Sequence, residues 1–191
     1  MAYDISAADI PAAEANPDVT LFREFTNDNA YLSFNLRKAP FDDIRVRQAI
    51  AHCLDLEGAW KVCMNGIGRP AIGLVPDNVK DSVAGKIKYP IYDYDLDKAR
   101  ELLAEAGYPD GFNCRYHVNY GEYFSNALRQ VGINTQIVSL DGATNDQVLK
   151  VEKDFDIYTW GIAATNGDID FTNRYFWSAD MESAQRNIMG Y

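Results

Sequence analysis

The sequence predicts an α/β domain in which helices flank a mixed or largely parallel sheet. Two observations predict it. Strand-like and helix-like hydrophobic patterns alternate along almost the whole chain, as they do in layered α/β folds. The 191 residues are also 47% hydrophobic and 13% aromatic, which suits one large domain or two small ones. A chain of this size buries about 70% of its unfolded surface.

The elements follow in order. Residues 4–20 are rich in Ala, Asp and Pro, and a short helix is expected at 7–16. Residues 21–25 read as a short strand and Asn27-Asp28-Asn29 as a turn. Residues 31–36 alternate as a strand. Asp42 or Asp43 is placed to cap a helix over Ile44–Cys53, in which Val46, Ala49, Ile50 and Cys53 recur at helical spacing. Asp55 caps a second helix over 56–64, and Gly66 sits where a left-handed C-terminal residue is wanted. Residues 68–90 have no periodicity and read as a long loop with a functional or partly mobile role. Asp95 caps the next helix, whose stripe is Ala99, Leu102, Leu103 and Ala106 and whose stop is Gly107. A strand over 112–118, a helix over 120–131 stopped by Gly132 and a strand over 133–140 come next. A helix over 143–153 capped by Thr144, a strand over 155–163 and a helix starting at 171–177 complete the reading.

Composition excludes several classes of function. The net charge is -10 and the isoelectric point lies near 4.6. Phosphate binding needs a basic face, so nucleic acid is not an expected partner. Anionic membrane surfaces are disfavoured for the same reason. No apolar run approaches the ~18 residues that a membrane-spanning helix needs. Cys53, Cys63 and Cys114 lack the CxxC spacing of zinc or redox sites. There is no G-x-S-x-G elbow, no Walker loop and no HExxH. Catalytic and metal-ligating residues are therefore not assigned, and no cofactor is expected.

Four motifs carry a resemblance. They are Phe34-Asn35 with Ala39-Pro40-Phe41-Asp42-Asp43, and Val46-Arg47-Gln48-Ala49-Ile50 leading to Gly66-Ile67-Gly68-Arg69-Pro70-Ala71. Next is Tyr94-Asp95-Leu96-Asp97-Lys98-Ala99 through Gly111-Phe112, and last Gly132-Ile133-Asn134 with Phe155-Asp156-Ile157. Together, and in this order, they resemble the extracytoplasmic solute-binding proteins of the peptide/nickel class that feed ABC importers, mainly the second lobe. Ala39 and Leu96 stand where that family usually has proline.

The resemblance implies a lobe of the class II periplasmic-binding-protein-like fold, as a fragment of a two-lobe protein. Residues 1–25 would be an inter-lobe segment or remnant of the first lobe, and 26–191 the ligand-binding lobe, short at its C-terminal side. Met1-Ala2 runs straight into Tyr3-Asp4-Ile5 with no basic or apolar leader. An excised piece of an extracytoplasmic protein is the expectation. The resemblance further implies capture by clamp closure. The ligand would be a peptide or other small solute, and the partners an ABC permease and the missing first lobe. The alternative is the ligand-sensing domain of a cytoplasmic transcriptional regulator. A stand-alone interaction domain is a third reading.

Cleft-lining roles are expected for Tyr31, Phe34 and Asn35 on one strand and for Trp160 and Gly161 on another, with Thr165, Asn166 and Asp168 after it. Each has a plainer reading. Trp160, Tyr31 and Phe34 are ordinary strand and core residues, and Asp168 and Asp170 are ordinary turn caps. Asn35 stands apart, because a buried amide must be satisfied. Peptide-binding relatives often carry Trp-x-x-Asp, whose Asp pairs with the ligand's α-amino group. An ungapped count puts that Trp on Ile162 and that Asp on Thr165. Either the loop offers Asp168 or Asp170 instead, or the ligand lacks an α-ammonium. Arg45 and Arg47 are candidates for a carboxylate, or for pairing with Asp42 and Asp43. His52 and His117, the only histidines, form no ligand-spaced cluster.

Overall fold

The computed structural model describes residues 5–6, 9–22, 26–63, 67–71, 73–82, 86, 92–117, 121–163 and 189–190. Along them run α1 (Ile10–Ala15), β1 (Asp28–Phe34), α2 (Ile44–Cys53), α3 (Leu56–Cys63), α4 (Leu96–Glu105) and β2 (Phe112–His117). Then come α5 (Gly121–Arg129), β3 (Ile133–Val138), α6 (Gly142–Asp146) and β4 (Ile157–Ala163). The sheet order is β1-β4-β2-β3, with β1 antiparallel to β4 and β2 parallel to both its neighbours. The expected mixed sheet is therefore present.

The helices form where periodicity and caps agree. Asp43 accepts from the Arg45 backbone N–H at the start of α2, and Arg45 clasps the same carboxylate, which is thereby lowered to about 2. Asp55 accepts from the Gly58 N–H, and Asp95 from the N–H groups of Asp97 and Lys98. Each cap satisfies amides that a helix start otherwise leaves open. The apolar stripes of α2 and α4 (Val46, Ala49, Ile50 and Ala99, Leu103) are sealed from solvent against Leu128, Ile133, Tyr116 and Ile157. Strand alternation sends Phe112, Cys114 and Tyr116 to that helical side. Cys53 and Cys114 are buried there, their thiols pushed up to about 12 by burial, while Cys63 is half-buried; all three are free.

Two turns meet without side chains between them. Gly111 (φ +76°) precedes β2 and Gly132 (φ +84°) precedes β3. A Cβ on Gly111 would lie 2.1 Å from the Gly132 carbonyl oxygen, and one on Gly132 would lie 2.7 Å from that of Asp110. Only glycine permits both the left-handed backbone and this approach.

Several expectations need correction. The turn at Asn27-Asp28-Asn29 is instead the start of β1, because Asp28 and Asn29 pair with Ala163 and Ile162. Leu21 and Phe22 are not in a strand, and the rest of that segment lies outside the described residues. Asp141, not Thr144, caps α6: its carboxylate accepts from the Ala143 and Thr144 N–H groups and from the Thr144 hydroxyl. The helix expected over 143–153 is α6 followed by a wider π-helical turn, Gln147–Glu152, closed by Lys153 in the left-handed region. In the described part of the 68–90 loop, Val75 and Val79 are buried and Ser82 donates to the Val75 carbonyl. Gly66 and the helix expected from 171 lie outside the described residues.

Asn35 is 1% exposed and fully used. Its amide donates to the carbonyls of Lys153 (2.9 Å) and Phe155 (3.0 Å), and its oxygen accepts from the Arg37 N–H (3.2 Å). It locks the entry of β4 to the exit of β1. Replacing Asn35→Ala strands these buried groups and should cost roughly 2–3 kcal/mol. The check is the urea unfolding midpoint, which should drop with unchanged slope.

Candidate functional site

The side of the sheet away from α2, α4 and α5 carries the candidate site. Tyr31 and Trp160 are direct cross-strand partners, with ring centroids 6.5 Å apart. Tyr158, two residues before Trp160 and so on the same face, brings its ring to 6.2 Å from it. The Trp160 indole N–H donates to the buried Ser33 hydroxyl at 2.7 Å. Tyr31 donates its hydroxyl to the Leu74 carbonyl, and Asn29 donates to the carbonyls of Gly73 and Leu74. Burial pushes the Tyr31 phenol up to about 12, so it remains a donor at neutral pH. Asn145 of α6 reaches the Tyr158 hydroxyl from the other side. The result is a half-buried aromatic wall with its polar tips fixed, suited to stacking and apolar contact with a solute.

Not every expected residue reaches this wall. Phe34 faces the opposite way, stacked on Phe41 with centroids 5.8 Å apart in the main core. An odd spacing from Tyr31 on one strand puts the two on opposite faces. Asn35 is enclosed and bonded to backbone, as described above. Gly161 is exposed, and a Cβ there would meet only the Asn29 carbonyl, at 3.8 Å. Thr165, Asn166, Asp168 and Asp170 lie outside the described residues. Arg45 serves Asp43 and the Glu105 carbonyl, and Arg47 donates to the carbonyls of Phe41 and Asp42. Tyr158 joins the wall although the sequence reading passed over it; its signal was the i, i+2 spacing from Trp160.

Beside the wall, β4 meets β2 through two residue pairs among the described residues, Tyr116↔Ile157 and His117↔Tyr158. Side chains extend this seam. The Asp156 carboxylate accepts from the Arg115 backbone N–H at 2.8 Å, while its own carbonyl accepts from the Asn35 N–H. Arg115 holds Asp154 with two bonds of 2.9 and 2.7 Å, and Lys38 reaches Asp154 at 2.6 Å and Asp156 at 3.4 Å. These cations hold the Asp154 carboxyl well below its usual range, and the Asp154 carboxylate, with Asp156, raises Arg115 in turn. On the core side the Tyr116 hydroxyl meets that of Thr159 at 2.5 Å. Among the described residues no three of His, Cys, Asp and Glu gather as a metal set.

His117 ends β2 at this seam. Burial lowers its pKa, and the Arg115 charge adds to that against the opposing pull of Asp156 and Asp154. The unfolded imidazole titrates near ~6.5. Below that pH the unfolded chain takes up a proton that the folded chain resists, so the stabilisation is complete above ~6.5 and is lost as pH falls. Asp154 acts in a lower window, below ~4. The urea midpoint should therefore decline between pH 7.5 and 5.5, and His117→Phe should flatten that decline.

Residues 1–183 match the bacterial extracellular solute-binding proteins, family 5, middle region. The chain is 29% identical over 203 residues to the glutathione-binding protein GsiB of Pectobacterium atrosepticum, covering all of this chain and 39% of that protein. It superposes on the dipeptide-binding protein of Pseudoalteromonas sp. SM9913 in complex with Met-Leu with a TM-score of 0.74 and 28% identity. That match covers 87% of this chain and 34% of the other. The fold also matches the periplasmic binding protein DppA from Helicobacter pylori, in complex with the peptide STSA (TM-score 0.84, 23% identity, 96% and 37% coverage). The chain thus spans about two fifths of the length of these relatives or less. A mixed sheet with the motifs in family order and a match along almost the whole chain lead to one conclusion: the chain belongs to the family 5 bacterial extracellular solute-binding proteins.

Proposed function

We propose that this chain is one ligand-binding lobe of the solute receptor of an ABC importer, and that its solute is a short peptide or peptide-like molecule. The observation that carries the reading is the aromatic wall of Tyr31, Tyr158 and Trp160. It is built on strands of a chain whose relatives include glutathione- and dipeptide-binding proteins. In this reading Tyr31, Tyr158 and Trp160 line the cleft, and Thr165, Asn166 and Asp168 extend it. The partners are a permease and a second lobe, and the place of work is extracytoplasmic. The regulator alternative draws no support from these relatives.

The mechanism is a shift between open and closed forms. A solute held by two lobes favours closure by the difference in its affinity for the two forms. The closed form is the one the permease receives. A single lobe buries only one side of the solute, so much of the apolar contact and exclusion of water is missing. The isolated chain should therefore bind Met-Leu or glutathione weakly, on the order of millimolar. Calorimetry giving a submicromolar Kd would overturn the division of labour between lobes. A Trp160 indole resonance unmoved by either solute at millimolar concentration would overturn the reading itself.

A further inference from the structure

Strands β2, β3 and β4 are parallel, so their carboxyl ends lie on one side of the sheet. Open α/β sheets bind ligands outside these ends, at the point where the chain leaves neighbouring strands in opposite directions. Here β2 leads through α5 to β3 on one flank, and β3 returns through α6 to β4 on the other. The reversal lies between β2 and β4. His117 is the last residue of β2 and pairs in register with Tyr158. It therefore shares a face with Tyr158 and, one row further on, with Tyr31 and Trp160.

His117 is 3% exposed, and neither ring nitrogen has a hydrogen-bond partner among the described residues. Native structures rarely leave such a group unanswered, and the exceptions cluster at functional positions. The nearby charges do not answer it, since Arg115 and Lys38 are engaged with Asp154 and Asp156. Burial keeps the ring neutral near pH 7. A neutral imidazole has one N–H to donate and one bare nitrogen to accept. A carboxylate only accepts and an ammonium only donates, whereas a peptide unit does both.

We propose that His117 is a specificity-determining residue of the cleft, which reads the peptide unit of the bound solute through a hydrogen bond at a ring nitrogen. The inference rests on the solute-binding reading above and deepens it. His117 sets which solutes fit, while the aromatic wall supplies contact area.

The test is long-range ¹H–¹⁵N spectroscopy of the histidine rings in the 191-residue chain, titrated with Met-Leu to millimolar concentration. His52, whose Nδ1 lies 2.8 Å from the Asp93 carbonyl oxygen, is the internal reference. The expected result is a saturable shift of the His117 nitrogens in step with the Trp160 indole, with His52 still. An equimolar mixture of free methionine and leucine should leave His117 unmoved. His117→Phe should weaken Met-Leu binding, read at Trp160, by roughly tenfold. If the Trp160 signal moves while His117 stays still, the inference falls and the solute-binding reading stands. If the free amino acids move His117 equally, the assignment to the peptide unit falls. If neither signal moves, both readings fall.

Discussion

The sheet depends on how Asp156 joins its two halves. Among the described residues β1 and β4 are paired along seven positions and β2 and β3 along six, but only two pairs connect β4 to β2. So short a ladder gives little cross-strand stabilisation of its own. Asp156 extends this join through its carboxylate, which takes the Arg115 amide of β2, while its carbonyl takes the Asn35 amide just beyond β1. The Arg115, Asp154 and Lys38 charges lie over this join, and the Tyr116–Thr159 hydroxyl pair lies beneath it. Exposed ion pairs are individually weak. Their value here is that several of them share the same two carboxylates and fix one register.

That register decides the chemistry of the binding face. Alternation sends Ile157 and Thr159 to the helical core and Tyr158 and Trp160 to the other side. A slip of one residue would exchange the two sets. Asn35 guards against the slip by gripping the backbone at Lys153 and Phe155, just ahead of β4. Structural and binding residues are thus interleaved along one strand, so stability and solute contact are set by neighbouring positions.

Much of the fold was legible in the sequence where local signals agreed. Helices α2 and α4 could be read because an Asp cap, a 3.6-residue stripe and a definite end coincide. α6 was harder, since Asp141 and Thr144 are both capping residues and a π-helical turn has no apolar period of its own. Asn35 announced a need for partners, but those partners lie more than a hundred residues along the chain and no local pattern reveals them. Phe34 was misplaced because facing depends on register, which only pairing with β4 defines. His117 looked unremarkable as an isolated histidine. Its interest comes from the reversal of direction between β2 and β4.

The three cysteines have a practical consequence. Electrophilic dyes react with thiolates, and burial suppresses the thiolate at Cys53 and Cys114. Burial raises the Cys63 thiol as well, but Cys63, at the half-buried end of α3, is the one of the three that solvent reaches, and so the natural attachment point for a fluorescent reporter. The unaltered polypeptide can carry one optical probe at a known place without prior mutagenesis.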